Sequence, residues 1–349
     1  MKKRFIFTLD YELYGNGSGD VFKHIIEPTD KLLAIANQYG VKLTFFFEVI
    51  EYWKLKEEWE NGNKMGYEKN PIEAMENQIR DAYRQGHDIQ LHLHPQWVDA
   101  RWESGKWIVN LDKWRLGGYD GTGENSIENL FKRGKQTLEE MLKPVNPKYE
   151  CIAMRAGGYN IQPSEEIVKA MKATGIKVDS SIYPGGKETG ILSNYDYSKI
   201  DPKKGFWHVG NQLEETGDSQ IMEIPIVAFP MIRLKKFLTW ERVKGLLRNS
   251  QSAKESLEAK TSSSEKKSGK WDKVKYFFEK EWQTWDYCLF SPSLHKDFLK
   301  KITMQNRDVF VLVGHPKSFT EGRGLEYLLK KTYKEYEYKT FTDIWSKIK

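Results

Sequence analysis

Five places in this chain set an ionisable side chain at the end of an apolar run. Arg4 to Leu9 leads directly into Asp10-Tyr11-Glu12, whose carboxylates stand two residues apart and face the same way on an extended strand. In Ile89-Gln90-Leu91-His92-Leu93-His94-Pro95, apolar residues alternate with polar ones, so His92 and His94 share a face about 7 Å apart. Arg155 follows Cys151 to Met154, Asp179 follows Ile176 to Val178, and His315 follows Asp308 to Gly314. Two histidines and a carboxylate with one open position form the donor set of a hydrolytic zinc site. A second carboxylate can serve as base and a separate imidazole as acid. Read alone, the histidine pair also fits polar residues on a solvated strand face. Asp10 after so apolar a run is costly to bury unpaired, which favours a site role for it.

The elements that must hold these groups alternate between strand and helix. Leu32, Leu33, Ile35, Ala36 and Tyr39 line one face of a helix with Thr29 as its cap and Gly40 as its stop. Val41 to Val49 is a strand buried on both faces, completing a βαβ unit. Asn70-Pro71 opens a helix through Ile72, Met75, Ile79 and Tyr83 that ends at Gly86, and the histidine strand follows. Trp97 to Asn125 is long, aromatic and glycine-rich, a functional loop or an inserted hairpin. Further helices span Ile127 to Leu142 and Pro163 to Gly175, and Ile221 to Val227 is a strand that Pro225 sends to an edge or bulge. Parallel α/β barrels carry their chemistry at the C-terminal strand ends, where all five groups fall.

Composition narrows the class. The 349 residues suffice for one large barrel domain over 1–349, with a mobile Ser/Lys-rich surface segment at about 250–270. A net charge of +6 is drawn from 55 basic and 49 acidic residues that are interspersed, which argues against a nucleic-acid stripe. No apolar window is long enough for a membrane span, and the basic start lacks a signal-peptide core. Cys151 and Cys288 read as buried thiols, so a cytoplasmic protein is expected.

Taken in order, Thr8-Leu9-Asp10-Tyr11-Glu12, His92-Leu93-His94-Pro95, Arg155-Ala156-Gly157-Gly158-Tyr159, Asp179-Ser180-Ser181 and Leu312-Val313-Gly314-His315 resemble the motifs of the polysaccharide deacetylases, carbohydrate esterase family four and its relatives. The resemblance runs from residue 4 to about residue 317. It implies a distorted (β/α) barrel of about seven parallel strands, a divalent metal, most simply Zn2+, and a carbohydrate substrate. Asp10 then looks like the general base, Glu12 like the metal carboxylate and His92 like the first metal histidine. Arg155 resembles the arginine that orients the base, His315 the general acid, and Asp179 is the candidate for the aspartate that orients an imidazole. The chain departs from the pattern in two ways. Tyr11 stands where many relatives have a metal aspartate, and the usual spacing puts the second histidine on Gln96, so either His94 substitutes or Gln96 contributes.

The function expected is removal of an acetyl or related acyl group from an amino sugar or glycan precursor. Two other functions fit the same barrel: hydrolysis of a cyclic amide or imide, and glycan binding without metal or catalysis.

Overall fold

The computed structural model describes residues 2–233 and 278–348. Seven parallel strands form the centre: β1 (Arg4–Tyr11), β2 (Leu43–Glu48), β3 (Asp88–Leu93), β4 (Ala153–Ala156), β5 (Val178–Asp179), β6 (Met222–Glu223) and β7 (Val309–Leu312). Their order is β6-β5-β4-β3-β2-β1-β7, and Trp207–His208 adds an antiparallel edge beyond β6. The sheet curls into a half-barrel, consistent with the distorted barrel expected from the sequence. Short bridges tie the chain just past β6 and a separate segment at Asp286 to the β7 side, Ile226 to Val311 and Asp286 to Val313. Pro225, lacking an N–H, ends the regular pairing of β6 just before the chain swings across to β7.

Burial explains the composition of the strands. Every residue of β2 and β3 is buried, because helices cover one face and the barrel interior takes the other. The alternation in β3 therefore does not mark a solvated face. Gln90 points inward, its amide oxygen accepting from the Ile152 and Ala153 N–H groups, and His92 follows on the same side.

The covering helices are α1 (Glu27–Gln38), α2 (Val49–Glu60), α3 (Pro71–Arg84), α4 (Ile127–Leu142), α5 (Glu165–Thr174), α6 (Pro292–Thr303), α7 (Arg323–Thr332) and α8 (Phe341–Ile348). Asn70 caps α3 as its sequence predicts, accepting from Ile72 and Glu73 N–H. Gly175 closes α5 in the left-handed region at φ 74°. Thr29, by contrast, lies buried inside α1, which begins at Glu27 after a π-helical turn over Phe22–Ile26. The helix around Trp53 and Trp59, α2, has no recognisable start in sequence because its cap is Glu48, a residue type outside the usual N-cap set. Trp97 to Asn125 contains a hairpin, Arg101–Glu103 paired with Lys106–Ile108. Both cysteines are free and buried. No helix among the described residues is long and apolar enough to cross a membrane. The segment expected to be mobile at about 250–270 lies outside the described residues.

Candidate active site

Parallel register lines up the strand ends. Phe46 stands beside Asp10, Glu48 beside His92, His92 beside Arg155, and Met154 beside Asp179. Asp10 N–H also donates to Gly314 O at 2.9 Å, which ties the end of β1 to the segment carrying His315. A cleft of 720 Å³ opens at this end, and Asp10, Glu12, His94 and His315 line it. Trp114, Tyr159, Tyr183, Tyr195 and Trp282 form much of its wall. A larger cavity of 860 Å³ opens at the opposite end of β3. Its buried acid, Asp88, is already satisfied by Thr44, Gln90 and Thr342, so the chemistry points to the first cleft.

Arg155 is fully buried and spends its donors in several directions. Its Nη1 reaches Asp10 Oδ1 at 2.6 Å and Thr8 Oγ1 at 2.7 Å, while Nε donates to Ser180 O at 2.7 Å. Its guanidinium also lies 4.3 Å from the centre of the Phe46 ring. Burial would raise the Asp10 carboxyl, but Arg155 first, then His92 and His315, hold it below the usual range. Asp10 is thus a buried carboxylate with one oxygen, Oδ2, turned toward His315 Nε2 at 3.6 Å.

Glu12, His92 and His94 converge, and their ligand-type atoms all lie within 4.8 Å of one another. His92 Nε2 and His94 Nε2 approach the same Glu12 oxygen, Oε2, at 3.4 and 2.5 Å. Neither nitrogen has a well-directed hydrogen bond, although both are buried. Such crowding of acceptors and one carboxylate oxygen around a point suits ligands that share an ion. Tautomers agree with it. His92 Nδ1 donates to Arg155 O at 2.7 Å, which leaves Nε2 with a free lone pair. His94 Nδ1 faces the Gln96 amide at 2.8 Å, and Gln96 Oε1 is buried without a partner. Turning that amide over gives up a 3.3 Å bond to Gly15 O. It lets Oε1 accept from Nδ1–H, which frees His94 Nε2 as well. The donor set therefore fits a divalent cation. Of the two alternatives left open by the motif spacing, the geometry favours the first: His94 stands in the triad, and Gln96 lies behind it against Nδ1.

Burial would raise Glu12, yet Lys317 and His94 hold its carboxyl well below the usual range. Burial is also the largest influence on both histidines. It is outweighed at His92, which Glu12 and Asp10 raise, and prevails at His94, which is lowered. Gly157 is what lets His94 sit here, since a Cβ at that position would fall 2.3 Å from the imidazole ring. That close approach gives the Arg155-Ala156-Gly157-Gly158 stretch a physical reason.

Asp179 is corrected by the geometry. It does not reach His315; its carboxylate accepts from Ser181 Oγ at 2.7 Å and Ser181 N–H at 3.0 Å, beneath the cleft and beside Glu223. A two-residue strand followed at once by a Ser-Ser turn folds the side chain back onto its own backbone. The aspartate on His315 is Asp286, whose Oδ2 accepts from Nδ1 at 2.9 Å. Lys317 was also not expected: its Nζ lies 2.7 Å from Glu12 Oε1. Lys317 stands two residues after His315 as Glu12 stands two after Asp10, and that parallel was the available clue. Asp286, in Thr284-Trp285-Asp286-Tyr287, follows no apolar strand of its own and carried none.

No sequence-family profile matches this chain, and no curated protein sequence matches it. Solved structures do. A protein from Mycobacterium smegmatis provisionally classed as a polysaccharide deacetylase aligns over 99% of this chain and 90% of its own, at TM-score 0.50 and 14% identity. A GH57 branching enzyme from Thermococcus kodakaraensis aligns over 100% of this chain and 72% of its own, at TM-score 0.50 and 11% identity. The likeness is one of fold. At these identities the side chains at the strand ends have to speak for themselves.

Proposed function

We propose that this protein is a metal-dependent hydrolase that removes an acetyl or related acyl group from an amino sugar or glycan precursor. The observation that carries the reading is a two-histidine, one-carboxylate triad at the wall of the same cleft that is lined by a separate carboxylate–imidazole pair. Glu12, His92 and His94 would hold the cation, for which Zn2+ suits the donor types. Bound there, the ion would supply Lewis-acid polarisation of an acyl carbonyl and acidify nearby water.

The remaining chemistry belongs to the chain. Arg155 occupies Asp10 Oδ1, which leaves Oδ2 as the atom that accepts a proton from attacking water. Asp286 fixes the His315 ring through Nδ1, so Nε2 is presented to deliver a proton to the departing amine or alcohol. The two groups flank the same point, 3.6 Å apart, as a base and an acid for a single acyl transfer need to be. Trp114, Tyr159 and Trp282, which line the cleft, would be the aromatic groups against which sugar rings rest.

The test is product analysis. Zn2+-loaded protein is incubated with N-acetylated and O-acetylated amino-sugar oligosaccharides, and separately with a cyclic diamide. Free acetate with an unmasked amine or hydroxyl supports the proposal. Ring opening without acetate release replaces it with amide hydrolysis, and oligosaccharide binding without any product replaces it with a lectin-like role.

A further inference from the structure

The Glu12 carboxylate divides its two oxygens between different partners. Oε2 faces the imidazole nitrogens of His92 and His94, and Oε1 is held by the Lys317 ammonium at 2.7 Å. Lys317 is itself tightly placed. Its Nζ donates to Leu13 O at 2.6 Å and lies 5.7 Å from the centre of the Tyr14 ring, while Tyr14 Oη donates to the Lys317 carbonyl at 3.3 Å. The Pro316–Ser318 turn that carries it starts directly after His315, so its backbone is fixed by the same strand end. Only 12% of its side chain is exposed, and solvent screens its charge weakly.

We infer that Lys317 sets the cation affinity of the Glu12–His92–His94 triad, limiting Glu12 to one open oxygen and keeping the bound ion exchangeable. The inference rests on the metal reading above. A unit positive charge on the far oxygen of the carboxylate ligand repels a dication at the near one, and it draws electron density away from the atom that would bind. A carboxylate free of such a partner can offer both oxygens to the ion. Most buried lysine–carboxylate pairs only secure a side chain. This one differs because its carboxylate already faces two buried imidazole nitrogens that lack a well-directed hydrogen bond. A purely bracing lysine predicts the opposite outcome, since removing it would loosen Glu12 and weaken binding.

The experiment is a calorimetric titration of chelator-treated protein with Co2+, run on wild type, Lys317→Met, Lys317→Gln and Lys317→Arg, with melting temperatures recorded for each. Lys317→Gln keeps a donor for Leu13 O and serves if the methionine variant does not fold. Both neutral variants are expected to bind Co2+ about tenfold more tightly than wild type, and Lys317→Arg to bind like wild type. Equal or weaker binding by a folded neutral variant overturns the inference while wild-type binding leaves the metal reading intact. Absence of Co2+ binding in wild type and in the folded neutral variants overturns both.

Discussion

The His315 imidazole is oriented by Asp286, whose Oδ2 accepts from Nδ1 at 2.9 Å across 29 residues of sequence. Asparagine at 286 could turn an N–H toward the ring and favour the opposite tautomer, moving the proton from Nδ1 to Nε2 and withdrawing the carboxylate that supports the doubly protonated ring acting as the acid. Asp286→Asn is therefore predicted to lower kcat by about 10²- to 10⁴-fold with little change in melting temperature. Asp179→Asn, lying under the cleft rather than in it, is predicted to keep kcat within about tenfold. Steady-state acetate release from the two variants checks the contrast; equal losses would return Asp179 to the catalytic set.

Arg155 and Asp10 form a buried pair at 2.6 Å, and neither can lose the other cheaply. Arg155→Met leaves Asp10 buried and unpaired, with a predicted loss of about 3–5 kcal/mol in urea unfolding. The linkage sign follows from the lowered Asp10 carboxyl. Its stabilising contribution is present above the ordinary aspartate range and disappears as pH falls through the depressed value. Wild type should thus lose stability more steeply than Asp10→Asn below about pH 4. Parallel slopes would contradict the pairing.

Gln96 holds His94 from behind. Gln96→Leu removes that partner while roughly preserving volume, and the predicted effect is a 10- to 100-fold weaker affinity for Zn2+. Competition against a chromophoric chelator measures it. Unchanged affinity would mean that His94 is positioned by packing against Gly157 alone.

Glu223 is buried next to Asp179, and burial first, then the Asp179 charge, pushes its carboxyl well above the usual range. For a carboxyl raised in the folded state, stability is complete below the ordinary glutamate range and is lost as pH rises through the folded value. Glu223→Gln retains an oxygen for the Ile182 N–H and cannot ionise. Its melting temperature relative to wild type should rise as pH climbs above the ordinary glutamate range, from about pH 4 upward. A constant difference across that range would contradict the shift.

Much of this architecture was readable in the chain because burial and period speak locally. Apolar runs located the strands, and the groups at their ends located the cleft, since a parallel sheet brings strand termini together whatever their spacing in sequence. Arg155 and Asp10 were legible for that reason. Asp286 was not, because it reaches the site from a short segment bridged to Val313 instead of from a strand of the main sheet. The full burial of β3 was also hidden, since its inward residues Gln90 and His92 are polar and satisfy one another's neighbours inside the barrel. Helix α2 went unseen because its cap, Glu48, is supplied by the last residue of a strand.

The central claim, that Glu12, His92 and His94 hold a cation required for deacylation, is tested most directly by metal reconstitution. Protein stripped with a chelator is reloaded with Zn2+ in steps, and acetate release from an acetylated amino-sugar oligosaccharide is followed in wild type and in His92→Ala. The account predicts negligible release from stripped wild type, recovery that saturates near one ion per chain, and no recovery in His92→Ala. Acetate release that survives stripping, or that persists without His92, would contradict it.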